Sequence, residues 1–194
     1  MLLSRLVCAS AALLILVPTV AQAQEGQEGQ EGQEGHPHRG FWIGFGIGGG
    51  SAKTDGAEES LGGAVVYLRL GGTVGQKWLL GGEAMGWGRS KDGVNWGRGN
   101  TTFTAMFYPS QRGGLYLKGG VGAAYVDVST EVFDVGVSLS EAGFGTTFGL
   151  GWDIRLGNNI YLTPNLDWMF QSIEILEETQ NTNLLVLTVG LIWH

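Results

Sequence analysis

A single cysteine occurs in the 194 residues of this chain. It is Cys8, inside an N-terminal apolar run that follows Arg5 and ends in Ala21-Gln22-Ala23. That arrangement reads as a secretory signal peptide over residues 1–23 with a small-x-small cleavage site. Cys8 follows Val7 and precedes most of the apolar run, which is not a lipid-attachment pattern. The mature chain, from Gln24, then has no thiol, so disulfides, thiolate metal sites and cysteine nucleophiles are excluded. Histidine is nearly as scarce. His36 and His38 flank Pro37 in a polar tail with no third and fourth ligand nearby, so they do not read as a metal site; the third histidine is His194. Charged residues make up 15%, against roughly a quarter in ordinary soluble domains. Loss of Arg5 leaves ten Lys and Arg against eighteen Asp and Glu, an acidic balance that disfavours a nucleic-acid partner. After the leader, no segment reaches the about 18 apolar residues of a membrane helix.

What the chain has in excess is glycine, thirty-five residues against an average usage of about 7%. Some of it spells a known motif. In "FWIGFGIGGG", Gly44, Gly46 and Gly49 match the dinucleotide fingerprint G-x-G-x-x-G, which requires a helix to follow. Here "SAKTDGAEES" follows, with no helical apolar face, while Phe41, Ile43, Phe45 and Ile47 alternate with glycines. A period of two is that of a strand with two different faces, and it places Gly44, Gly46 and Gly48 on the second face. No cofactor site is expected.

Residues 24–40 carry four QEG repeats with nothing apolar to bury and read as a flexible linker. From residue 41 to 194 the alternation recurs eight times, near 41–50, 63–72, 77–88, 100–109, 114–127, 142–155, 159–171 and 184–194. Each segment meets the about 9–11 residues of a tilted transmembrane strand. One parity is rich in Phe, Trp, Leu, Ile and Val. The other holds glycines, threonines and a polar network of Arg69, Glu83, Lys118, Asp153, Asn165 and Asp167. A soluble sandwich would turn the apolar face inward, yet nothing else in the chain could cover it. Eight strands also close with an interior just wide enough for side chains. The fold expected is therefore all-β, an eight-stranded antiparallel up-and-down transmembrane β-barrel. Connections two to three, four to five and six to seven read as short turns, and the other four as long polar loops. That is the outer-membrane pattern, with both termini periplasmic. Outward aromatics fall in two bands: Phe41, Trp78, Phe107, Trp152 and Trp193 near the periplasmic ends, and Tyr125, Phe144, Trp168 and Phe170 toward the outer ends. Pro164 removes a ladder donor inside strand seven and predicts a bulge or a weak ladder.

These features resemble the small eight-stranded outer-membrane β-barrels of the OmpA-like, OmpX-like and opacity-protein type. The resemblance implies a Gram-negative cell envelope, a lipid and lipopolysaccharide environment, and recognition of the closing "LLVLTVGLIWH" by the barrel assembly machinery. Leu187, Val189, Leu191 and Trp193 match that signal, with His194 one residue beyond it. Three functions remain open. The first is a monomeric structural or surface-interaction barrel acting through extracellular loops, among them "GRSKDGVNWGRGN" with Trp96 exposed. The second is a narrow porin-like channel for ions or small solutes, lined by the polar network. The third and weakest is a lipid-modifying enzyme, since Ser138, Ser140 and Glu141 have no histidine base in reach. No catalytic residue, cofactor or metal is expected.

Overall fold

The computed structural model describes residues 40–110, 113–132, 135–175 and 178–194. The expected leader, the QEG linker and the two tail histidines lie outside these residues. Nine strands follow in chain order: β1 (Phe41–Thr54), β2 (Leu61–Gly75), β3 (Trp78–Lys91), β4 (Val94–Phe107), β5 (Leu115–Val132), β6 (Val135–Trp152), β7 (Ile154–Arg155), β8 (Ile160–Ile175) and β9 (Glu178–Trp193). Apart from β6 and β7, neighbours in sequence pair antiparallel; β1 also pairs with β9, and β6 with β8, so the sheet closes on itself. The two-residue β7 continues the line of β6, which makes eight staves.

The break between β6 and β7 has a cause in sequence. Gly151 pairs with Asn165, and Ile154 with Leu162. The register therefore runs through unchanged, and the gap places Pro164 opposite Trp152. Proline offers no N–H to that rung, so the ladder lapses there without a bulge. On its other edge the strand stays bound, with the Asp153 amide donating to Gly114 O at 2.9 Å. The register shift in this sheet falls elsewhere, between Thr73 and Gly75 on β2.

Several strands outrun the apolar pattern. β1 continues to Thr54, β4 starts at Val94 and β9 at Glu178. Alternation marks only the part of a strand with a lipid face, whereas hairpin hydrogen bonds continue beyond it. The long loop expected between the third and fourth strands is instead a two-residue turn. Lys91 pairs with Val94, and Asp92 and Gly93 both have positive φ, 54° and 78°. An Asp-Gly pair is suited to such a turn because both central residues must be left-handed.

The face assignment follows the burial. Phe45, Ile47, Val66, Leu68, Phe103, Leu117, Val121, Phe148, Leu150, Leu185, Leu187 and Val189 are exposed on the outer wall. Trp42, Tyr67, Arg69, Glu83, Lys118, Asn165 and Asp167 are buried inside. A face this apolar is stable against lipid, not water. Within the opening stretch, Gly44 and Gly46 are buried, but Gly48 is exposed. At Gly46 a β-carbon would fall 2.7 Å from Gly190 Cα and Val189 O of β9. The glycine therefore serves close approach of β1 to β9 at the closing seam, which explains its place without any phosphate.

Candidate functional site

The lumen is the part of the molecule where charge, burial and geometry converge. β2, β3 and β4 place Arg69, Glu83 and Thr102 in one cross-strand row. β5, β6 and β8 place Lys118, Gly149 and Asp167 in another. Lys118 Nζ joins the two rows, 2.6 Å from Glu83 Oε2 and 2.9 Å from Asp167 Oδ1, with all three side chains no more than 2% exposed. Gly149 makes the second contact possible, because a β-carbon there would overlap Asp167 Oδ1.

Arg69 behaves differently. Among the described residues no carboxylate lies within ion-pair distance of it. Its guanidinium sits 4.9 Å from the Tyr67 ring centroid and 5.4 Å from that of Tyr116, and NH1 donates to Asn165 Oδ1 at 3.5 Å. Tyr116 OH donates to the same oxygen. Asn165 Nδ2 donates to Tyr67 OH at 3.2 Å and Thr188 Oγ1 at 3.3 Å. Cation–π contact with the two tyrosine rings thus holds Arg69. Asp153 belongs to neither row. It accepts from Tyr108 OH at 2.7 Å and Thr163 Oγ1 at 2.9 Å, with His194 Nε2 at 3.8 Å. The His194 side chain turns inward, packs edge-on against Tyr161 at 5.3 Å and covers Asp153.

Above and below this polar belt the interior is apolar, which the reading of glycines and a few charges did not include. Trp42, Leu79, Met106, Tyr108, Tyr116, Tyr161 and Ile192 form one cluster at the end that carries β1's start and β9's finish. Ala52, Val65, Tyr67, Met85, Trp87, Met169, Leu184 and Val186 form another toward the opposite end. Trp96, expected to be exposed on a loop, is half-buried and packs on this second cluster. Its cross-strand partner is Arg89. Asn100 and Gln171 were also missed: Gln171 Nε2 donates to Asn100 Oδ1 at 2.9 Å and Asn100 Nδ2 to Thr146 O at 3.0 Å. Strand parity was the signal for all of these. Tyr116 stands between the outward Leu115 and Leu117, so it must point inward.

The aromatics expected at the membrane interface lie on the outer wall. Trp78 and Phe107 are 4.7 Å apart between ring centroids, and Phe148 stacks on Trp168 at 5.9 Å. Trp168 Nε1 donates to Asn183 Oδ1 at 3.1 Å. Phe41, Tyr125, Phe144, Trp152 and Trp193 are exposed on the same wall, while Phe107 and Phe170 are half-buried.

No group of three or more His, Cys, Asp or Glu side chains among the described residues is arranged to hold a metal ion. Ser140 Oγ donates to Asp127 Oδ2 at 2.7 Å, and the Ser138 side chain lies outside the described residues. In the lumen, Lys118 offsets the charge of Glu83 and Asp167, and the apolar clusters fill space.

Comparison with known proteins agrees with this architecture. The family model described as outer membrane protein beta-barrel domain matches residues 9–194. Among solved structures, the attachment invasion locus protein Ail of Yersinia pestis is similar at 15% identity and a TM-score of 0.58, covering 80% of this chain and 99% of its own. Neisserial surface protein A is similar at 12% identity and a TM-score of 0.58, covering 79% and 96%. A second Ail structure, in complex with the heparin analogue sucrose octasulfate, gives a TM-score of 0.57 at 15% identity, covering 80% and 99%. No curated protein sequence matches.

Proposed function

This chain belongs to the outer membrane protein beta-barrel domain family, and from that membership we propose that it is a closed, monomeric, non-enzymatic barrel that acts through its exposed hairpins. The observation that carries the reading is the filled lumen. Lys118 is locked between Glu83 and Asp167, and apolar clusters lie on both sides of that belt. Ions crossing it would have to part a buried ion triad and both apolar layers. Surface roles in the names of the similar Ail and Neisserial structures support the same reading.

In this proposal the end holding the chain termini faces the periplasm, and the hairpin tips face outward. The tips are acidic on β1–β2 and β8–β9, where Asp55, Glu58, Glu59, Glu174 and Glu178 are exposed. The β3–β4 hairpin instead brings Arg89, Lys91 and Arg98 together, with Arg98 NH1 donating to Thr182 Oγ1 across the mouth at 3.0 Å. Leu187, Val189, Leu191 and Trp193 form the outer face of the last strand and would be read by the assembly machinery.

Conductance tests the closed lumen. The refolded wild-type barrel is expected to be electrically silent in a planar bilayer. Reproducible conductance steps in the wild type that change in Glu83→Gln would favour the channel reading instead. Orientation has its own test: trypsin added to intact cells is expected to cut at Lys91, beside the two-residue turn, and to spare Lys77 and Arg155. Cleavage at Lys77 or Arg155 with Lys91 spared would invert the proposed topology.

A further inference from the structure

We propose that the lapsed rung between β6 and β8 is a lipid site on the outer wall, taking a phospholipid whose headgroup is a primary ammonium. The inference rests on the wall facing lipid, which the fold gives, and not on a closed lumen or a particular orientation. The polar atom of the site is a backbone carbonyl. Successive residues of a strand direct their N–H and C=O to alternate neighbours. Asp153 N–H donates to Gly114 O on the β5 side, so Trp152 directs its own pair toward β8. The residue facing it there is Pro164. Pro164 can accept from the Trp152 N–H but has no N–H to return, which leaves Trp152 O without its ladder donor. The register accordingly stops at Gly151 with Asn165 and resumes at Ile154 with Leu162. The next side-chain amide along β8 does not fill the gap. Asn165 is buried in the lumen, where Nδ2 donates to Thr163 O, Tyr67 OH and Thr188 Oγ1. A backbone acceptor on a lipid-facing wall is unfavourable unless some donor reaches it.

A recess opens on the same rung. It has a volume of about 210 Å³, and its lining includes Leu115, Leu150, Trp152, Pro164, Leu166 and Leu187. Trp152 and Pro164 face outward, because their neighbours Gly151, Asp153, Thr163 and Asn165 are all buried. From this rung the recess runs away from the chain-end rim, to where Leu150 pairs with Leu166 and Leu166 with Leu187. The order from rim to bilayer middle is therefore an acceptor without a donor, then hydrocarbon. A phospholipid with a donating headgroup has the matching order, from ammonium to acyl chain.

Donor capacity selects the headgroup. Ethanolamine and choline phospholipids carry the same formal charges, and a cation of either kind can rest on the Trp152 ring, which is exposed on the wall. Only the primary ammonium has N–H groups to give to Trp152 O. A hydrogen bond from a charged donor is stronger than one from a hydroxyl or a water. The acyl chain in the recess then holds that donor beside its acceptor.

The test is native mass spectrometry of the full refolded barrel offered equal amounts of phosphatidylethanolamine and phosphatidylcholine with identical acyl chains. The first lipid adduct is expected to favour phosphatidylethanolamine about tenfold, the factor that one charge-assisted hydrogen bond supplies. Pro164→Ala returns an N–H to the rung and should bring the ratio close to one. Leu187→Trp, which fills the recess from an outward position, should weaken adducts of both lipids. Methylation of the headgroup separates donation from size. The N,N-dimethyl lipid keeps one N–H and should retain most of the preference, which the third methyl then removes. Equal adducts in the wild type would overturn the site and leave the carbonyl to water. So would a preference that survives Pro164→Ala, one that falls evenly with each methyl, or barrel dimers in place of lipid adducts. A heat-dependent gel shift identifies any variant that fails to fold, in which case Pro164→Val, with the same restored N–H, or Leu166→Trp takes its place. Conductance on the same preparation bears on the closed lumen alone, so either idea can fail without the other.

Discussion

Lys118→Met is expected to destabilise the barrel by about 3–5 kcal/mol, the range found when one partner of a buried ion pair is removed. Methionine fills much of the lysine's volume, so the loss would come from charge and not from a cavity. Glu83 and Asp167 would then share a lumen no more than 2% exposed at their side chains, with no cation between them. Arg69 cannot take over, because Asn165 and the rings of Tyr67 and Tyr116 hold its guanidinium. The informative comparison is the triple variant Lys118→Met, Glu83→Gln, Asp167→Asn. Replacing a whole buried ion group by neutral groups of similar size is often close to neutral, so the triple should recover most of what the single loses. Urea titration of vesicle-reconstituted protein, followed by tryptophan fluorescence, measures both. Equal losses in single and triple variants would mean that shape and not charge governs the belt. An unchanged single variant would remove the triad as the lock of the lumen, and with it the main support for a closed barrel.

How much of this was readable in advance depended on which physical signal each feature leaves. The outer wall was legible because lipid imposes the same demand on every second residue of every strand. Val66, Leu68 and Leu70 announce their face without reference to any partner. Closure followed from the absence of anything else to cover that surface. Inside, parity placed Arg69, Glu83, Lys118, Asn165 and Asp167 in the lumen but could not pair them. Pairing depends on how the strands tilt and on which side chains are missing. Lys118 reaches Asp167 across Gly149, and a glycine that permits a contact looks in sequence like any other glycine. The apolar plugs escaped because tyrosine, tryptophan and methionine on the inner parity were overshadowed by the glycines around them. Trp96 read as exposed because apolar alternation ends before it. Pairing with Arg89 nonetheless carries it to the inner face, where it meets the cluster under the mouth. The hairpin at Asp92-Gly93 was a missed signal, since that dipeptide is a strong mark of a two-residue turn.

Leu150→Arg is expected to cost about 2–4 kcal/mol, the range for a basic residue on the lipid face near the bilayer midplane. Leu150 is 46% exposed on β6 and pairs with Leu117 on one side and Leu166 on the other. Its surroundings are therefore hydrocarbon in every lateral direction, with no carboxylate to meet a guanidinium. An arginine there must reach along the wall toward a headgroup or draw water inward, and both are unfavourable. Depth provides the control. Val74 is 63% exposed at the chain-end rim, beside the register shift at Thr73 and Gly75. Arg at that height should cost about 0–1 kcal/mol. Thr147, on the inner face of the same strand, is not an equivalent control. It is fully buried, and Asn100 Nδ2 lies 3.5 Å from its hydroxyl, so an arginine would overfill the lumen and cost about 1–3 kcal/mol by steric strain alone. A conservative exchange separates the two causes. Leu150→Met should change stability by less than about 1.5 kcal/mol, because lipid adapts to a new shape where a packed interior does not. Refolding titrations in vesicles that gave Leu150→Arg and Val74→Arg the same cost would show that β6 does not present Leu150 to the bilayer middle. The order expected from the geometry is Leu150→Arg above Val74→Arg; Thr147→Arg stands outside that depth scale, because it adds an unpaired buried charge to steric strain.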